Sequence, residues 1–188
     1  TMGDFNNDMM DDVVAINLVN YGSETVDIVA MPINGVVDSA GSLARITEPD
    51  GYELFEKMLL VSDITNDGID DLLIGAGYDL GGAYYNSFGV FIFPIINNVS
   101  LASDAPIQIT SERSFAADAA TNDVNSDGAL DLLVSGGSAV YLFLGPILGS
   151  GTVSDLADVA MEAPYVEGDP IIGKAVALGD LNRDGTPD

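Results

Sequence analysis

Aspartate recurs in this chain at spacings suited to holding a hard cation. The pattern Asp-x-Asn/Thr-x-Asp-x-x-x-Asp begins at Asp4, Asp63, Asp123 and Asp180, at intervals of 59, 60 and 57 residues. In such a loop, side-chain oxygens at positions 1, 3, 5 and 9 and the backbone carbonyl of position 7 can converge on one ion, and an all-oxygen set favours Ca²⁺. The first loop offers Asp4, Asn6, Asp8, the Met10 carbonyl and Asp12. The second offers Asp63, Thr65, Asp67, the Ile69 carbonyl and Asp71. The third offers Asp123, Asn125, Asp127, the Ala129 carbonyl and Asp131, and the fourth Asp180, Asn182, Asp184, the Thr186 carbonyl and Asp188.

Position 6 of the loop needs a backbone that turns with positive φ, which glycine does without strain. Gly68, Gly128 and Gly185 meet that demand and Met9 does not. The loops at Asp123 and Asp180 therefore rank as the strongest calcium sites. The loop at Asp63 follows, because a threonine oxygen is a poorer ligand than an amide oxygen, and the loop at Asp4 is the weakest. An EF-hand shares the opening positions but requires a bidentate Glu at position 12 between two helices. Ala15, Ile74 and Val134 stand there, so the ligand set must close at position 9. A single such loop could be no more than a solvated turn. Four in register make the metal reading far stronger.

Composition agrees with bound cations. The 188 residues carry 30 acids against 5 bases, a formal charge of −25, and 47% of them are hydrophobic. Such a chain can bury a core, yet it repels itself and makes a poor partner for nucleic acid or anionic membranes. Four Ca²⁺ would relieve about 8 units of that charge. Cysteine and histidine are both absent. That removes disulfides, thiolate or imidazole zinc sites and the Ser-His-Asp and Cys-His catalytic arrangements. No apolar run approaches the ~18 residues of a membrane-spanning helix, and nothing near Thr1 resembles a signal peptide.

Around each loop the same elements recur. Short β-favouring runs follow the loops at Val13–Ile16, Leu72–Ile74 and Leu132–Val134, and glycine-rich turns lead to second runs at Val26–Met31, Gly89–Phe93 and Ala139–Leu144. Each second run meets proline, at Pro32, Pro94 and Pro146. Fainter outer strands are expected at Ser42–Glu48, Ser103–Thr110 and Ser154–Ala160, with a helical turn as an alternative over Asp155–Ala163. Pre-loop strands are expected at Leu54–Val61, Phe115–Ala120 and Ile171–Leu178. Four short strands per period of 57 to 60 residues fit a blade, and blades stack radially. The expected fold is thus all-β, a partial β-propeller of four-stranded blades with one calcium loop per blade. Residues 1–188 divide in phase with the loops into 4–62, 63–122, 123–179 and an incomplete 180–188.

The run Asp-x-Asn-x-Asp-Gly-x-x-Asp-Leu-Leu, followed by glycines and then by Tyr141-Leu142-Phe143-Leu144-Gly145-Pro146, resembles the FG-GAP repeat of integrin α-subunit propellers and many bacterial extracellular proteins. The resemblance covers nearly the whole chain. Leu54-Phe55-Glu56 and Ile172-Gly173-Lys174 stand where Phe-Gly would be, and Gly75-Ala76-Gly77 replaces Gly-Ala-Pro. The resemblance implies structural ions and propellers of about seven blades, so further blades are expected outside this chain or in other chains.

The expected role is a non-catalytic, calcium-stabilised extracellular or cell-surface domain for adhesion, display or assembly. Its partners would be a protein or glycan ligand or copies of itself. Two alternatives are the scaffold of a secreted enzyme acting on polysaccharide or lipid, and a subunit of an extracellular filament. For the enzyme, Glu48, Asp50, Glu53, Glu162, Glu167 and Asp169 could supply a carboxylate pair, although solvated turns are the ordinary place for such acids. Asn98-Val99-Ser100 fits the N-glycosylation pattern. Tyr78, Tyr84, Tyr85 and Phe88 could stack on a sugar or, more simply, pack against a neighbouring blade. Arg183 could pair across a blade boundary or stay solvated.

Overall fold

The structure, a computed structural model, describes residues 1–19, 23–32, 42–47, 52–78, 87–94, 105, 107–111, 115–136, 139–162, 175–185 and 187. These build three antiparallel sheets. The first contains β1 (Met2–Gly3), β2 (Asp12–Val19), β3 (Ser23–Val29) and β4 (Ala44–Thr47) in sequence order. The second contains β5 (Tyr52–Ser62), β6 (Asp71–Tyr78), β7 (Ser87–Phe93) and β8 (Ile107–Ser111). The third runs β9 (Asp118–Asn122), β10 (Asp131–Gly136) and β11 (Ala139–Phe143), then, past β12 (Gly151–Thr152) and the short helix α1 (Val153–Leu156), ends in β13 (Val159–Glu162). The strand β12 leaves its own sheet and joins the second one, parallel to β8. The chain is all-β, a partial β-propeller of four-stranded blades.

In every sheet the acidic loop joins the first strand to the second: β1 to β2, β5 to β6, β9 to β10. The sequence period runs from loop to loop, whereas each sheet starts one strand before its loop. A hairpin loop is held by both strands it connects, so the pre-loop strand stays with the strand after the loop.

Side chains alternate between the two faces of a strand, and the second sheet is buried on both. Leu72, Ile74, Phe91 and Phe93 pack toward Val14, Val26, Ile28 and Ile46 of the first sheet. Leu73, Val90, Ile92 and Ile109 pack toward Leu132, Val134 and Phe143 of the third. This is why Leu72-Leu73-Ile74 and Val90–Phe93 are unbroken apolar runs. Position 2 of the first two loops helps close the seam: Phe5 lies in the core between the first two sheets and Ile64 in the core between the second and third. Phe88 also lies in the second of these cores, so its ring serves packing between blades.

Several expected elements fall elsewhere. The run Phe115–Ala120 becomes a strand only from Asp118, because Ala116 turns the backbone into the left-handed region with φ of 58°, and Phe115 and Ala116 are wholly buried before it. Phe115 meets Tyr141 and Phe143 edge to face at 5.8 and 6.4 Å. The expected strand Ser154–Ala160 is instead α1 and then β13, and the helical turn expected over Asp155–Ala163 lies two residues earlier. Asp158 fixes the change: its N–H reaches Leu142 O and its carboxylate takes Leu144 N–H, which draws the chain into the β11 ladder. Residues 171–174 of the expected strand Ile171–Leu178 lie outside the described residues, and 175–180 form no strand. The prolines also differ. By the registers Val13↔Val29, Leu132↔Phe143 and Leu72↔Phe93, Pro32 and Pro146 are equivalent, while Pro94 comes two positions earlier. Asn98, Tyr84, Tyr85, Glu48, Asp50, Glu167 and Asp169 lie outside the described residues.

Because both faces of β6 are covered, Leu72→Ala and Leu73→Ala should each lower the unfolding free energy by about 2–5 kcal/mol in urea denaturation. Val159→Ala, on the exposed face of β13, should change it by less than about 1 kcal/mol.

Candidate metal centre

The four loops adopt one backbone shape. Position 4 is left-handed in each, with φ of 59° at Asn7, 58° at Asn66, 60° at Ser126 and 64° at Arg183. Position 6 is left-handed as well, with φ of 68° at Met9, 88° at Gly68, 92° at Gly128 and 94° at Gly185. A Cβ on any of these three glycines would meet nothing within 4 Å, so the requirement is conformational rather than spatial. Sequence reading found position 6 and missed position 4. Asparagine at two of the four copies was the available signal, since its side chain tolerates this region better than most.

The two turns fold backbone N–H groups inward onto the acids. Asp4 accepts from Asp8 N and Met9 N at 3.0 and 2.8 Å; Asp63 accepts from Asp67 N and Gly68 N, both at 3.0 Å. Asp123 takes the same pair from Asp127 and Gly128 at 3.1 and 2.9 Å, and Asp180 from Asp184 and Gly185 at 3.0 and 2.9 Å. The amide oxygens of Asn6, Asn125 and Asn182 each accept the N–H two residues on, at 2.9, 2.9 and 2.8 Å. Thr65 departs from them, its hydroxyl donating to Asp71 instead at 3.3 Å. The carboxylates of Asp8, Asp67 and Asp127 accept the N–H groups of Met10, Ile69 and Ala129. Those hydrogen bonds, the Ala129 N–H first and the Asn125 amide second, hold the Asp127 carboxyl below the ordinary range.

Position 9 differs from the exposed acids. Asp12, Asp71 and Asp131 open the second strand of their sheets with no accessible surface at all. Asp12 accepts from Phe5 N at 3.3 Å and from Met31 N at 3.2 Å, joining the loop start to the chain just past β3. Asp131 does the same between Val124 N and Gly145 N, both at 2.8 Å. Asp71 takes Ile64 N and Thr65 N at 2.7 and 2.9 Å. None of the three has a cationic partner among the described residues, where the ion pair is Arg45 with Asp27 on the first sheet. Burial pushes Asp71 up to about 6 against the pull of its N–H donors. Burial also raises Asp12, opposed by the N–H groups of Met31 and Phe5 and reinforced by the charges of Asp8 and Asp4.

These donors suit a hard cation: all are oxygens, preset by the same two left-handed residues, and the innermost are carboxylates lacking a countercharge. Among the described residues no three acidic side chains are drawn together as a formed cluster. Thr186 and Asp188 of the fourth loop lie outside the described residues, and in that loop Asp180, Asn182 and Asp184 share the arrangement of the others. Arg183 is exposed at its position 4.

Replacing Met9, 93% exposed and left-handed, tests the backbone requirement. Met9→Gly should raise stability by about 1 kcal/mol, and Gly128→Ala should lower it by about as much. Asp71 tests the electrostatics. Its folded pKa of about 6 exceeds the ordinary 3.8, so in calcium-free buffer the fold should lose stability as pH rises from about 4 to 6. A pH series of denaturant melts should show that loss, and Asp71→Asn should flatten it.

A search of curated proteins gives no significant match. A family model described as FG-GAP-like repeat matches residues 123–188, which begin on the first aspartate of the third loop. Residues 123–188 are thus similar to the FG-GAP-like repeat, and the same acidic loop between the first two strands of a sheet recurs twice before them.

Proposed function

We propose that this chain is a calcium-braced segment of an extracellular propeller whose blades present a surface for binding rather than for catalysis. The carrying observation is the set of three fully buried carboxylates, Asp12, Asp71 and Asp131, without a cation among the described residues. A buried, unpaired carboxylate is costly, and a divalent ion held by the same loop offsets that cost. Asp4, Asn6 and Asp8 with Asp12, and their counterparts in the other loops, would hold the ion. Its chemistry there is electrostatic: it screens the loop acids and stiffens the hairpin between the first two strands of a blade. Weak sites suffice where surrounding Ca²⁺ is plentiful, which favours an extracellular or cell-surface setting.

The absence of histidine and cysteine from the sequence supports a non-catalytic role in adhesion, display or assembly. The charge of −25 favours a protein or glycan partner, or further copies of the chain, over nucleic acid. Melting the chain in EDTA and then in 10 mM Ca²⁺ tests the reading. For dissociation constants on the order of 10⁻⁴ to 10⁻³ M, each filled loop should add about 1.4–2.7 kcal/mol. An unchanged melting temperature would overturn it.

A further inference from the structure

The first two loops touch each other through a residue outside either ligand set. Asp70, at position 8 of the second loop, accepts a hydrogen bond from Asp4 N at 2.9 Å, and its own N–H faces Asp4 O at 3.4 Å. Asp4 is position 1 of the first loop, and Asp71, next to Asp70, is position 9 of the second. The contact depends on Gly3. A Cβ there would collide with the Val61 Cγ1 methyl and stand 2.9 Å from the Asp70 carboxylate. The next boundary is built otherwise, from Ile147 N–H on Ile64 O at 3.1 Å and a Ser62–Thr121 hydroxyl pair at 3.0 Å. Position 8 of the later loops holds Leu130 and Pro187, neither with a carboxylate to offer.

Resting on the calcium reading above, we propose that Asp70 is a positioning residue that sets the first loop for its ion and couples its filling to that of the second. The first loop is the one burdened by Met9 at a left-handed position. A strut on Asp4 restrains the first residue of that loop, so less ordering remains when the ion binds. Ion binding in the second loop fixes Asp71 and, through the adjoining backbone, Asp70. By linkage the first loop must then favour the second to the same degree.

The amide resonances of Met9, Gly68 and Gly128 report the loops separately, since each N–H donates to the position 1 carboxylate of its own loop. In a Ca²⁺ titration of the whole chain, Asp70→Ala should raise the midpoint at Met9 roughly tenfold and leave Gly128 unmoved. Asp70→Asn, which keeps an acceptor oxygen, should stay within about threefold of the parent. Asp67→Ala, which removes a ligand from the second loop, should raise the Met9 midpoint about fivefold or more. A Met9 response unaffected by Asp70→Ala or by Asp67→Ala overturns the coupling while leaving the calcium reading intact. Equal losses in Asp70→Asn and Asp70→Ala overturn the strut, because charge rather than the acceptor would be at work. A parent chain whose loops all ignore Ca²⁺ overturns the calcium reading and the coupling together.

Discussion

Asp12, Asp71 and Asp131 lie wholly out of water at the point where an acidic loop becomes the second strand of a sheet. Each carboxylate gathers N–H groups from the start of its loop, and in the first and third sheets also from the chain just past the third strand. One side chain therefore fixes the loop against two strands that would otherwise meet only through ladder bonds. The cost of that arrangement is a charge with no nearby base among the described residues, and at Asp12 and Asp71 burial makes it expensive to keep ionised. Loop shape and blade geometry meet at this position.

Stacking of the blades is a separate matter, governed by apolar area. The second sheet shows it most fully, since alternate residues of Leu72–Ala76 and Phe88–Phe93 face opposite neighbours and are buried. Position 2 of the loops ties the two systems together. Phe5 and Ile64 sit one residue from a proposed calcium ligand and yet lie in the cores between sheets. Where the fourth loop presents Leu181 at the same position, that side chain is 86% exposed. An apolar residue at this position is core where a neighbouring sheet covers it, as at Phe5 and Ile64.

Much of the fold is legible in the residues because the repeat writes each element three times. The runs after the loops, Gly89–Phe93 and Leu54–Val61 fall within strands, while the runs Val26–Met31 and Ala139–Leu144 overrun theirs by two residues and one. The features hidden from the sequence are hidden for identifiable reasons. Left-handed backbone at position 4 is signalled by Asn7 and Asn66, while Ser126 and Arg183 conceal it. The shift from strand to helix at Val153–Leu156 comes from bonds made by Asp158 to residues of β11, which no local pattern reports. Pro94 looked equivalent to Pro32 and Pro146 because a sequence alignment by proline ignores the ladder register.

The sequence alone determined the period, the all-β class, the loops and the oxygen donors within them, since each depends on residue types at short spacings and on the recurrence of those patterns along the chain. Only the tertiary structure decided that the pre-loop strand shares a sheet with the strand after the loop, that Asp12, Asp71 and Asp131 are buried, and that Asp70 reaches Asp4. Burial and contact between repeats depend on which surfaces meet across some 60 residues of chain. Spacing along the sequence carries no record of that meeting.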